Sequence, residues 1–117
     1  MFATYLALTI VTALSAAVGC WMNYVHHPIP VAAAKQVQVP ESWMIPLGTA
    51  QGAGAIGVLA GFALPPIGIA AAVGLVLFFI GAVIAHLRVG DFALGRVIFA
   101  LVLVGANLAA TLAYHLD

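Results

Sequence analysis

Four long apolar runs, separated by short polar breaks, make up nearly the whole chain. They cover residues 2–25, 43–64, 67–87 and 92–116, and within each the apolar positions are continuous rather than alternating. About 20 such residues, rising 1.5 Å each, cross about 30 Å of hydrocarbon, so each run predicts a membrane-spanning helix. A β-barrel would need shorter segments that alternate apolar and polar positions. Asn23, Tyr24, His26, His27, Pro28 and Pro30 end the first run, since proline blocks helix continuation. Pro65-Pro66 forces a tight connection after the second run, and Arg88-Val89-Gly90-Asp91 closes the third. Residues 26–42 form the one sizeable loop. With Val31 to Ala34 and Val37 to Val39 as apolar pieces, it is too short and too greasy for a flexible linker. It is expected to lie along the membrane interface, with Trp21, Tyr24 and Trp43 as interfacial anchors.

Composition sharpens this. Hydrophobic residues are 66% of 117 and charged residues 5%, against about 45–50% and about 25% in soluble domains. Those proportions match four spans of about 20 residues with little left over. The expected fold is all-α, an integral membrane four-helix bundle forming one transmembrane domain over residues 1–117. Disorder, a disulfide scaffold and a nucleic-acid binder are excluded by three Lys/Arg, one cysteine and zero net charge. No positive charge precedes the first run, which therefore reads as a retained span and not as a signal peptide.

With four spans, Lys35, Arg88 and Arg96 fall on one side and no Lys or Arg on the other. The positive-inside bias then puts loops 26–42 and 88–94 in the cytoplasm and both termini outside, as in a multi-pass protein of a bacterial cytoplasmic membrane. The second run is rich in small residues. Thr49, Ala53, Gly57 and Gly61 recur every four positions, and Gly48 and Gly52 form a second pair. Such faces let backbones approach closely in lipid, first for internal packing and second for a dimer seam. Besides membrane lipid, a homo-oligomer or a larger membrane complex is the expected partner. Gly68, Gly74 and Gly81 repeat the theme in the third run, whose bulky Leu75, Leu77, Phe78 and Phe79 are expected to face lipid or a hydrophobic ligand.

The scarce ionisable groups are the functional candidates, because they are expensive at membrane depth. Threading the helices collects His26, His27, Lys35, Glu41, His86, Arg88, Asp91 and Arg96 at one face, leaving His115 and Asp117 at the other. His86 lies one turn inside its helix end, near Arg88 and Asp91. A carboxylate beside an imidazole fixes its tautomer and raises its basicity, which suits proton transfer to a bound carbonyl compound such as a quinone. The competing reading is a helix cap that meets headgroups. Glu41 is a weaker catalytic candidate. His26 and His27 are candidate ligand-binding residues, but neighbours on a helix point about 100° apart and cannot readily share one metal. No HExxH, CxxC or CxxCH pattern accompanies them, so a helix end meeting water explains the pair more cheaply than a metal or haem site. Gln51 and Asn107 are mid-span amides that need partners: each other, a backbone carbonyl or a ligand. Interhelical bonding is the first reading, and Thr111, one turn from Asn107, can share the network. Cys20 has no second thiol and reads as inert packing.

From Val39 onward the chain resembles the DoxX family, in its short DoxX-like members. The residues that carry this are Val39-Pro40-Glu41-Ser42-Trp43, Pro46-Leu47-Gly48, Gln51 to Gly57 and Leu64-Pro65-Pro66-Ile67-Gly68. Ala71 to Ala82 follow, then Ala85-His86-Leu87-Arg88-Val89-Gly90-Asp91. The resemblance implies a small four-helix membrane protein. It implies a polar site at His86, Arg88 and Asp91, and a role like that of relatives serving a thiosulfate:quinone oxidoreductase or redox and disulfide handling. Relatives often carry a charged residue where Gln51 stands, so an acid/base role for the second run does not carry over. The leading expectation is a protein that binds a lipophilic molecule such as a quinone and serves a membrane oxidoreductase system. The residues themselves specify no cofactor. Two other classes remain: a non-catalytic assembly subunit docked through its glycine-rich run, and a membrane isomerase or hydrolase using Glu41 or Asp91 with a histidine.

Overall fold

A computed structural model describes residues 2–36, 39–90 and 95–116. Among these the chain is helical, with no strand: α1 is Phe2–Tyr24, α2 Pro28–Gln36, α3 Met44–Ala60, α4 Pro65–Arg88 and α5 Gly95–Leu116, with a 3-10 turn at Glu41–Trp43 before α3. Three helices are long and apolar enough to cross a membrane: Phe2–Tyr24, Pro65–Arg88 and Val97–His115. Met44–Ala60 is apolar but only 17 residues, about 25 Å. The expected span over 43–64 is therefore shorter than its apolar run. Pro65 pushes Leu64 out of the helical region, to φ −128° and ψ 82°, and residues 61–63 close in tight turns ahead of it.

Two further expectations change. Residues 26–42 are not simply a loop, because α2 occupies most of them. Pro28 and Pro30 begin a helix as well as following one, and Pro65 and Pro66 do the same for α4. Proline's missing N–H falls among first-turn donors that have no helical partner anyway.

The junction between α1 and α2 is made by the histidine pair. His26 sits at φ 53°, its N–H bonding Asn23 O at 3.3 Å while the His27 N–H reaches Met22 O at 2.9 Å. This is the Schellman ending, with histidine in the left-handed position usually given to glycine. His27 Nδ1 then accepts from the Ile29 N–H at 3.2 Å and caps the first turn of α2.

The helix contacts run in a cycle, α1 to α3 to α4 to α5 and back to α1, with α2 joined to α1 and to the 3-10 turn. Tyr5 meets His115 and Phe62, whereas Asn23 meets Gln51, so α1 runs antiparallel to both α3 and α5. Apart from Tyr5 and Met44, buried near opposite ends of the bundle, the core is made of small and medium side chains: Ala13, Ala16, Ala55, Val58, Ala72, Val104 and Leu75, the last turned inward and not to lipid as expected. The large ones point outward, with Leu14 62% and Phe99 72% exposed and Ile56, Leu77, Ile84 and Val102 similarly placed. Small inside and large outside inverts the soluble pattern and suits a lipid surround, where close backbone approach and not water expulsion holds helices together.

Candidate functional site

At the end of the molecule where α1 finishes and α4 finishes, α2 lies over a cavity of about 420 Å³. Pro30 and Ala34 of α2 line it, with Val39 and Trp43 of the following segment and Met44 and Leu47 of α3. Leu77, Phe78, Gly81, Ala82, Ala85 and His86 of α4 close the far side. Among the described residues, the lining side chains with strongly polar groups are His86 and Asn23, the latter from the last turn of α1, beside the indole of Trp43. A chamber of this size, apolar apart from a few converging polar groups, is the usual form of a small-molecule site.

The polar chemistry follows from the partners. His86 Nδ1 lies 2.8 Å from the Ala82 carbonyl, one turn back. A carbonyl only accepts, so Nδ1 carries the proton. Asn23 Nδ2 donates to Gly19 O at 2.9 Å and to Gln51 Oε1 at 2.9 Å. Both amide protons are committed, leaving Asn23 its carbonyl oxygen with which to address a ligand.

The seam between α1 and α3 fixes Asn23. Gly48 and Gly52 let α3 approach so closely that a Cβ at Gly52 would stand 2.9 Å from Cys20 Sγ, and one at Gly48 2.9 Å from Asn23 Cβ. Tyr24 adds a tether. Thr49 Oγ1 donates to Ile45 O at 2.8 Å, so in the 2.6 Å pair Tyr24 is the donor to Thr49. The expected four-residue face of α3 divides. Thr49 and Ala53 are exposed, while Gly57 and Gly61 pack on α4 at Ala71 and Gly68.

The sequence candidates end up in different places. His86 lines the cavity, and Gln51 supports it through Asn23. His26 and His27 serve the α1–α2 junction, and Arg88 is exposed at the end of α4. Asp91 lies outside the described residues, as does the side chain of Glu41. Gln51 and Asn107 have separate partners. Asn107, 0% exposed, accepts at Oδ1 from Thr9 Oγ1 at 3.0 Å, and Thr111 Oγ1 donates to the Asn107 carbonyl at 2.6 Å. Asn107 Nδ2 and Thr12 Oγ1 are buried without a protein partner. Among the described residues no group of three or more His, Cys, Asp or Glu could hold a metal.

Sequence reasoning missed Asn23, read only as a helix-end marker, and Tyr5, which is 1% exposed. The spacing of Tyr5, Thr9, Thr12, Ala16, Gly19 and Asn23, alternately four and three, was the available signal: one inward stripe on α1. At the far end, the Tyr5 hydroxyl is hydrogen-bonded to His115 Nε2 at 3.1 Å, and its ring stacks on Tyr114 with centroids 4.9 Å apart. Phe2 and Phe62 complete that aromatic cluster.

The model of the DoxX-like family matches residues 7–112, which includes every residue lining the cavity. No curated protein and no solved structure matches the chain.

Proposed function

The chain belongs to the DoxX-like family and is an integral membrane protein, and from that premise we propose that it binds a lipophilic molecule with a polar ring head, such as a quinone. The observation that carries this is the cavity under α2, where an apolar chamber presents His86 and Asn23 as its polar groups. His86 is the group able to hydrogen-bond the head and exchange a proton with it. The protein serves a membrane oxidoreductase system as its ligand-binding subunit.

In this reading α3 spans together with α1, α4 and α5, making four crossings in a bacterial cytoplasmic membrane. A stretch of 17 apolar residues is at the short end of the spanning range. The cavity end, with Lys35 and Arg88, faces the cytoplasm by the positive-inside bias. Arg88, two residues past His86 at the end of α4, and Asp91, close by in sequence, are the groups assigned to tune His86.

The test is quinone binding by purified protein in nanodiscs, comparing wild type with His86→Ala and Gly81→Leu. A Cβ at Gly81 meets nothing within 4 Å, so leucine there fills the chamber without disturbing helix packing. Both variants should bind at least about tenfold more weakly. Unchanged binding in both sinks the site.

A further inference from the structure

A second hollow lies alongside the first. A groove of about 700 Å³ runs between α3 and α4, and it shares two wall residues with the cavity, Leu77 and Phe78. Ala50, Ala53, Gly54 and Gly57 form its α3 side, and Ile67, Ala70 and Gly74 lie opposite on α4. Resting on the ligand reading above, we infer that this groove holds the hydrocarbon chain of the lipid whose head occupies the cavity, so that the ligand class is a long single-chain lipid and not a compact apolar molecule.

Three observations carry the inference. The two hollows are adjacent, since Leu77 and Phe78 line both. Gly74 and Gly81, one heptad apart on α4, bracket those two residues from either side. A Cβ at either glycine meets nothing within 4 Å, unlike the glycines at helix contacts, so α4 presents open space in the groove as it does in the cavity. Finally, the polar side chains lie in one hollow only, and the polar atoms along the groove belong to the backbone. The cavity contains His86 and Asn23, whereas every residue named along the groove is apolar or glycine. From His86 to Gly74 the path along α4 is about 18 Å, which sets the reach required of the chain. In lipid the chain gains little from leaving its surroundings. Its preference for the groove is therefore one of fit, from dispersion contacts with two close helix backbones.

The experiment is photo-crosslinking in nanodiscs with a benzoquinone head carrying a hexadecyl chain that ends in a diazirine, with labelled residues mapped by mass spectrometry. Label should fall on the groove segments of α3 and α4 and be competed by excess unlabelled probe. It should vanish in Gly81→Leu, and fall about tenfold in Gly74→Leu while the chainless head still binds. Competable label confined to other surfaces would overturn the tail groove and leave the head cavity standing. Groove label that resists competition and persists in Gly81→Leu would mark ordinary bilayer lipid and overturn the inference. Absence of competable label anywhere would overturn both readings.

Discussion

Gly61 and Gly68 meet backbone to backbone: a Cβ on Gly61 would stand 2.5 Å from the Gly68 Cα, and one on Gly68 2.6 Å from the Gly61 Cα. This contact closes the hairpin between α3 and α4 and lets both helices line one groove. A methyl group at either position must push the helices apart. Gly68→Ala should destabilise by about 1–3 kcal/mol, the range for overpacking a close contact, while Gly74→Ala, with open space around it, should be nearly neutral. Reversible unfolding in mixed micelles measures both. Equal effects would show that the hairpin is not closed by this contact.

Thr9 and Asn107 form a buried pair across α1 and α5. Removing one partner strands a polar atom in an apolar core, whereas removing both with similar shapes does not. Thr9→Val and Asn107→Leu singly should each destabilise by about 1 kcal/mol, and the double variant by less than the two effects combined. A double-mutant cycle read by the same unfolding assay checks this, and strict additivity would exclude the bond.

His86 holds its Nδ1 proton on the Ala82 carbonyl, which orients the ring in the cavity wall. His86→Phe keeps the bulk and loses the ring nitrogens, so it should weaken quinone binding about fivefold, worth roughly one neutral hydrogen bond. Titrating a quinone into wild type and variant decides it, and equal affinity would leave the imidazole no part in holding the head.

His26 occupies the left-handed region, at φ 53°. Glycine is at ease there and β-branched residues are not. His26→Gly should preserve or slightly raise stability, and His26→Val should lower it by about 1–2 kcal/mol by straining the turn that sets α2 over the cavity. Thermal unfolding of the two variants separates this backbone role from any role of the imidazole, under which both would behave alike.

Tyr5 joins a ring stack on Tyr114 to a hydroxyl bond with His115. Tyr5→Phe should keep the stack and lose only the bond, about 1 kcal/mol, whereas Tyr5→Ala should lose several times that by opening the aromatic cluster. Comparable losses in the two would assign the whole effect to the hydroxyl.

Much was legible in the sequence because lipid imposes a blunt rule. A backbone in hydrocarbon must satisfy its hydrogen bonds internally, so continuous apolar runs become helices wherever they are long enough. Charge scarcity likewise marks the class, and His86 stands out since few ionisable groups exist to choose from. Composition could not divide residues 26–42, where a short helix depends on a left-handed His26 and a capping His27. Both use histidine where the common signals are glycine and serine or aspartate.

The sequence by itself determined the membrane class, the helical character and the end at which polar groups gather, since each depends on local composition and period. Only the tertiary structure decided that Asn23 faces the same chamber as His86, that Gln51 and Asn107 serve different seams, and that Tyr5 and His115 meet across 110 positions. Those outcomes depend on which small residues let which helices approach. Gly48 and Gly52 draw α3 onto α1, while Gly57 and Gly61 draw it onto α4. A glycine shows in the sequence, but the neighbour it admits is settled only when all the helices pack at once.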